Sequence, residues 1–201
     1  MDIEEILRLF LYNNKLKFNE IEKSVKIRSN KLTYHLKKLM DKGVLEKENE
    51  YYKLSESSEF LIPYISNKKA VLPVVLILIG DDKKAFLFKR EKRPYKGKMG
   101  LPGGRILLGE SINDSVERIM KEKFNMKCKL EEVNSISLEH IKKNKKTIHS
   151  FMLIFVKAKT KEKIQLTDLE KEKKKIISSD YKLIKKDSGK EIKIKNINSG
   201  I

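Results

Sequence analysis

The stretch that most constrains the fold is Leu101-Pro102-Gly103-Gly104-Arg105-Ile106-Leu107-Leu108-Gly109-Glu110-Ser111. Three glycines and a proline predict a tight, pre-bent loop, because glycine tolerates backbone angles that other residues avoid. Ser111 then stands where a helix cap is needed, with Asp114 three residues on as an approximate capping-box partner. The helix is predicted to run to about Lys123. Ile112, Val116 and Met120 recur at i, i+4 and i+8 and must face a core, while Arg118, Glu122 and Ile119 fall on an adjacent side. A glycine-rich loop entering a helix N-terminus can present backbone N–H groups to phosphate oxygens. Many Pro-Gly-Gly runs are plain turns, so the spacing has to decide.

From Gly104, five residues lead to Glu110 and seven more lead to Arg118. This resembles the Nudix box, Gly-x5-Glu-x7-Arg-Glu-U-x-Glu-Glu-x-Gly-U, with U a bulky aliphatic residue. Upstream, Phe86-Leu87-Phe88-Lys89-Arg90 resembles the family strand that ends in arginine. Gly97-Lys98-Met99-Gly100-Leu101-Pro102-Gly103-Gly104 resembles its glycine approach, with Met99 where tryptophan is usual. The resemblance covers about residues 70–160 and implies a Nudix-type α/β/α sandwich with a mixed sheet. The ligand-binding candidates are Arg90, Gly103, Gly104, Arg105 and Lys123.

The second half of the box departs from the pattern, reading Arg118-Ile119-Met120-Lys121-Glu122-Lys123-Phe124-Asn125. Ile119 and Lys123 stand where the family has two of its three clustered glutamates. Family enzymes use those carboxylates to hold magnesium on a diphosphate and to help activate water. Magnesium wants oxygen ligands in near-octahedral geometry; isoleucine supplies none, and a lysine ammonium repels the ion. Lys123 can neutralise phosphate charge but cannot polarise a metal-bound water. The expectation is a domain that binds without cutting, with no catalytic residue, metal or cofactor. The alternative is an active Mg²⁺-dependent hydrolase of nucleoside-diphosphate-linked compounds, using Glu122, Glu110 and Arg118 for catalysis, with Gly104, Glu110 and Glu122 at the metal. Asp168, Glu170 and Glu172 are then candidates for a further carboxylate. Arg118 reads as a structural partner of a box glutamate.

The first 54 residues have a different pattern. Ile3, Ile6, Leu7, Phe10 and Leu11 predict a helix over 2–12. Asn19 is placed to cap a second helix, with Ile21 and Val25 on its buried side. Lys26-Ile27-Arg28 forms a turn, and Ser29 or Asn30 caps a third helix reaching about Asp41. Its apolar side is Leu32, Leu36, Leu39 and Met40, and Gly43 stops it. Val44–Lys47 and Tyr51–Leu54 are predicted strands. Three helices and a hairpin make a winged helix-turn-helix, and residues 29–45 resemble the recognition helix and wing entry of ArsR- and MarR-type regulators. In such folds the third helix enters the major groove. The DNA-facing candidates are Arg28, Ser29, Asn30, Lys31, Thr33, Tyr34 and Lys37, with Lys47 and Lys53 on the wing. His35 reads as a packing residue.

The chain of 201 residues carries a formal net charge of +18, which favours polyanionic partners. Residues 1–54 hold twelve Lys/Arg against nine Asp/Glu, so most of the excess lies beyond them. The single cysteine, Cys128, excludes an internal disulfide and a Cys-based zinc cluster. The acidic start is unlike a signal peptide, and Val71–Ile79 is too short to span a bilayer; a cytoplasmic setting is expected.

The fold class is therefore α+β, in four segments: a winged helix-turn-helix domain over 1–54, a connector with helical character over 55–69 that Pro63 ends, a Nudix-like domain over 70–185 and a tail over 186–201. Within the second domain, Val71–Ile79 reads as a strand buried on both faces, Gly80-Asp81-Asp82 as a hairpin turn, and Ala85–Lys89 as the returning strand. Two more strands are expected at 128–139 and 147–157 about the turn 142–146, then a helix over 166–178; the stretch from Lys182 reads as a last strand or as disordered. The function read from this is a transcription regulator, acting on double-stranded DNA as a homodimer, whose degenerate Nudix-like domain senses a nucleotide-derived small molecule.

Overall fold

The computed structural model of the protein describes residues 2–65 and 70–199. The chain divides into two compact units, residues 1–70 and 71–201.

In the first unit the order is α1 (Asp2–Leu9), β1 (Leu16–Lys17), α2 (Phe18–Val25), α3 (Ser29–Asp41), β2 (Leu45–Glu48) and β3 (Tyr51–Leu54). Strand β3 is central, antiparallel to both β1 and β2. Ile6, Ile21, Leu32, Leu36 and Leu45 are almost wholly removed from solvent and form the core of this unit. Two helix starts differ from expectation. Helix α2 begins one residue before Asn19: Lys17 takes the N-cap position and its N–H donates to Glu20 Oε2 at 2.7 Å. Ser29 does not cap α3, because it is already helical; Arg28 is the N-cap and the Ser29 hydroxyl donates to Glu22 across the turn. Helix α1 stops at Leu9, and Phe10 to Tyr12 continue as a turn held by i→i+3 bonds. A 3₁₀ helix over Glu56–Tyr64 follows β3. Pro63 does not end it, since proline's fixed φ falls in the 3₁₀ range. Positions 66–69 of the expected connector lie outside the described residues.

The second unit runs β4 (Leu72–Leu78), β5 (Lys84–Ala85), β6 (Phe88–Lys89), β7 (Met99–Gly100), β8 (Gly103–Arg105), α4 (Ile112–Phe124), β9 (Cys128–Lys143), β10 (Lys146–Thr160), β11 (Thr167–Asp168), α5 (Leu169–Glu172) and α6 (Ser178–Asp187). The main sheet has the order β8-β4-β10-β9, parallel only between β4 and β10. Alternation along β4 sends Val75, Ile77 and Ile79 against Val116, Ile119 and Met120 of α4. The opposite face, through Leu76, Leu78 and Phe155, meets Leu169, Ile176, Leu183 and Ile184 from the α5–α6 segment. Helical cover on both faces of a mixed sheet is the expected α+β sandwich.

Several boundaries moved. The returning strand after β4 is broken: Lys84–Ala85 pairs with β11 and Phe88–Lys89 with β7, so neither joins the main sheet. The β9–β10 hairpin is longer than predicted because its turn takes only two residues, Asn144 and Lys145, both with positive φ. The helix expected over 166–178 is instead a short strand, one helical turn and a 3₁₀ turn, and the regular helix α6 falls over Ser178–Asp187, into the stretch read as strand or disordered. Beyond it the tail lies beside β9, with Ile192 N–H donating to the Val133 carbonyl at 2.8 Å.

Candidate functional site

The site is built on β8 and the first three turns of α4. Ser111 caps α4 as expected: its hydroxyl accepts from Asp114 N–H, and Asp114 Oδ2 accepts from Ser111 N–H at 3.0 Å. The glycines before it do a different job from the one predicted. Gly103 and Gly104 are not in a bent loop at positive φ but in an edge strand, paired with Leu76 and Val75. Their lack of a side chain is a matter of close approach. A Cβ on Gly103 would lie 2.5 Å from the Val75 carbonyl oxygen, and one on Gly104 would lie 3.0 Å from Ile119 Cγ1. Ile119 therefore belongs to the core, directly under Gly104, and not to the ligand-facing side.

Glu110 is fully engaged. Arg118 reaches it through Nε and through Nη2 at 2.9 Å; Leu107 N–H and the Ser115 hydroxyl each donate to Oε2 at 2.9 Å. Arg118, with these hydrogen-bonding neighbours, pulls the Glu110 carboxyl down to about 2. Arg118 also donates to the Arg105 carbonyl at 2.9 Å and to Glu122 at 3.3 Å. The pair thus ties the loop to both the helix and the strand. Of the two carboxylates that match the box pattern, Glu110 is 16% exposed and Glu122 is 60% exposed.

Lys123 lies on the strand side of the helix, and its ammonium donates to the Gly103 carbonyl. Partial desolvation, with Arg90, Lys92 and Arg118 nearby, holds it below the ordinary lysine value. Gly103, Gly104 and Lys123 are thus brought together, with Arg90 beside Gly100 and its charge felt at Lys123. Arg105 is exposed and joins them through its carbonyl alone. The downstream carboxylates are engaged elsewhere: Asp168 caps α5, Glu170 accepts from Tyr181 and Lys185, and Glu172 pairs with Lys175. Among the described residues no three His, Cys, Asp or Glu side chains converge. The donor set around Gly104 does not fit a divalent cation of the magnesium kind, which needs several free oxygens. A cavity of about 530 Å³ opens beside the C-terminal half of α4, lined by Arg118, Lys121, Met126 and Cys128 among others, away from the Gly103 carbonyl.

A polar cluster missed from sequence lies just upstream. Asp180, at the start of α6, is 4% exposed and accepts Leu101 N–H at 2.8 Å; a Cβ on Gly100 would lie 2.9 Å from it. Burial pushes its carboxyl up to about 6, with Glu139 adding to the effect. The Tyr95 hydroxyl donates to Glu139 at 2.9 Å and is pushed up to about 12 by burial and that carboxylate. No spacing marks these residues, since they come from three distant segments. A raised acid favours the folded state below its unfolded value of 3.8 and loses that stability as pH rises through about 6. Asp180→Asn keeps the acceptor for Leu101 and removes the buried charge. It is expected to gain roughly 2–3 kcal/mol at about pH 8 and little at about pH 4; equal denaturation midpoints at the two pH values would sink the assignment.

In the N-terminal unit, α3 exposes Asn30, Lys31, Thr33, Tyr34 and Lys37 on one arc, with Arg28 at its start. Thr33 Oγ1 is bonded back to the Ser29 carbonyl at 2.9 Å. His35 is half-buried and meets the Tyr34 ring edge-on at 5.5 Å. On the hairpin, Lys53 is paired with Glu48 at 3.2 Å, while Lys47 lies over the Tyr52 ring.

The sandwich and the box running from edge strand to helix define the class. The chain belongs to the NUDIX domain family, which it matches over residues 70–185. It is 39% identical over 49 residues to the ADP-ribose pyrophosphatase of Methanocaldococcus jannaschii, covering 24% of this chain and 29% of that protein. It is 32% identical over 66 residues to a nudix-hydrolase-like relative from Caenorhabditis elegans, covering 33% of this chain and 18% of that one. The matches thus span less than a third of either relative. Among solved structures, the NUDIX domain of Shewanella oneidensis NrtR complexed with ADP ribose aligns at 18% identity and a TM-score of 0.44, covering 65% of this chain and 95% of that one. No helix among the described residues is long and apolar enough to cross a membrane.

Proposed function

We propose that the protein is a DNA-binding transcription regulator whose Nudix domain senses a nucleotide-derived ligand without hydrolysing it. The observation that carries this reading is the Lys123 ammonium on the Gly103 carbonyl, at a box position that otherwise supplies a metal-binding carboxylate. A fixed positive charge there attracts phosphate and repels the ion that would activate water. Ile119 in the core and Glu110 saturated by Arg118 point the same way.

In this reading the N-terminal unit is a winged helix-turn-helix. It is supported by the order helix, strand, helix, helix, hairpin, with β1 added to the hairpin's sheet. Asn30, Tyr34 and Lys37 are the base-facing candidates on α3. Arg28 and Lys31 are phosphate contacts. Ser29 and Thr33, already bonded within the unit, contribute less, as does Lys53 beside its glutamates. The regulator works as a homodimer on two-fold sites in a cytoplasmic setting.

The test has two arms on the full chain. Compounds with a nucleoside-diphosphate linkage, ADP-ribose first because one relative is named for cleaving it, are incubated with Mg²⁺ or Mn²⁺. No turnover is expected. Duplexes are then selected from a random pool. Lys37→Met should weaken binding to every sequence and lower the slope of log affinity against log salt by about one. Asn30→Ala should relax preference at one position, at about 1–3 kcal/mol. An absence of duplex binding would end the regulator reading. A second reading, an active hydrolase with an accessory N-terminal unit, is favoured by the exposed Glu122 carboxylate; it predicts turnover that Glu122→Gln abolishes.

A further inference from the structure

Lys123 sits on the Gly103–Gly104 strand, its Nζ 3.8 Å from where a Cβ on Gly104 would stand, and feels the positive charge of Arg90, Lys92 and Arg118. Arg118 is ion-paired with Glu110 and Glu122. Lys123 feels the charge of Glu122 but forms no ion pair of its own among the described residues. One of its three N–H bonds goes to the Gly103 carbonyl, and no carboxylate among the described residues accepts from the other two. Arg90 is half-buried, and its Nε has no hydrogen-bond partner among the described residues. An ammonium held among like charges is at high potential, which an incoming anion lowers.

We propose that Lys123 acts as a tethered replacement for the divalent cation, so that this site holds the diphosphate part of its ligand through Lys123 and Arg90 with no metal. The ammonium sits on the strand carbonyl and turns its remaining N–H bonds to phosphate oxygens. Charge-assisted hydrogen bonds of this kind are the strong ones. The Arg90 guanidinium adds a second cationic group to hold the same anion. Neither group ionises water, so binding proceeds with no route to cleavage. Free divalent cation then opposes binding, because it sequesters the anion and is itself repelled from Lys123. The inference rests on the sensor reading above and specifies how that same site recognises its ligand.

The test is calorimetric titration of the full chain with inorganic pyrophosphate, first in excess chelator and then in excess Mg²⁺. Binding is expected in chelator and should weaken on adding Mg²⁺. Lys123→Met should lose about 10- to 100-fold in chelator. Lys145→Met, at the hairpin tip, serves as a control for non-specific attraction to a basic protein and should change nothing. Lys123→Glu should bind in chelator no better than Lys123→Met. Thermal midpoints of the variants should match the parent's, since Lys123 is exposed. Binding by the parent in Mg²⁺ alone would overturn the inference and leave the sensor reading standing. Unchanged binding by Lys123→Met, or an equal loss in Lys145→Met, would also overturn it. No binding in either condition would overturn both.

Discussion

Ile119→Glu is expected to destabilise the second unit by roughly 3–5 kcal/mol, a large part of the stability of an ordinary domain. The substitution writes back the residue that the box pattern has at this position. It fails because Ile119 has no exposed surface and packs between Val75, Val116 and Met120 on the sheet's α4 face. A carboxylate there has no partner, and Gly104 above it leaves no room to turn outward. Ile119→Val, which removes one methylene, should cost only about 0.5–1.5 kcal/mol. Urea denaturation of the two variants separates the cases. A cost below about 1 kcal/mol for the glutamate would mean that the side chain escapes to solvent and that the core assignment is wrong.

Glu110→Ala is expected to cost about 2–4 kcal/mol, because one carboxylate serves three hydrogen-bonding partners and its removal leaves Arg118 with only Glu122 and the Arg105 carbonyl. The pH dependence gives a second handle. A depressed acid contributes stability above its unfolded value of 4.5, and that contribution is lost as pH falls toward about 2. Glu110→Gln should flatten the denaturation midpoint over that window. Asp180 acts with the opposite sign between 3.8 and about 6. The two groups therefore act in opposite directions, and Asp180→Asn should remove the share of stability lost between 3.8 and about 6. A parent midpoint that does not fall between about pH 4.5 and pH 2 would remove the role given to Glu110.

Much of the frame was legible before the structure. Helix α4, its Ser111–Asp114 cap, its Val116 and Met120 face and the buried strand β4 all follow from local chemistry acting at short range. Where the reading failed, distant contacts decided. Ile119 sits at the margin of the apolar stripe, and only the approach of Gly104 puts it inside. Gly103 and Gly104 looked like turn residues, yet their conformation is extended and their constraint comes from Val75 and Ile119 across the sheet. The segment Ala85–Lys89 has a strand's composition, but the loop after it draws its two ends to different partners. Helix α6 hides in a lysine-rich stretch because its burial is carried by a few residues, Leu183 and Ile184 with Asp180. Asp180 itself has no signal at all: its significance is conferred by Leu101, 79 residues away. At the box, residue types gave the chemistry and spacing gave the alignment. That Lys123 would settle on the Gly103 carbonyl needed the geometry.

The seat of Ile119 beneath Gly104 also bears on how such a site changes over generations. Position 123 is exposed, so a lysine and a glutamate can replace one another there with little penalty to folding. Position 119 is not symmetrical in this way. Once an aliphatic side chain has filled the gap below the strand, neighbouring core residues adjust to its volume, and each adjustment makes a return to a carboxylate harder. A carboxylate at 119 is then hard to introduce, while one at 123 is not. A chain with both residues can change its charge at position 123 alone and still be unable to seat a carboxylate at position 119.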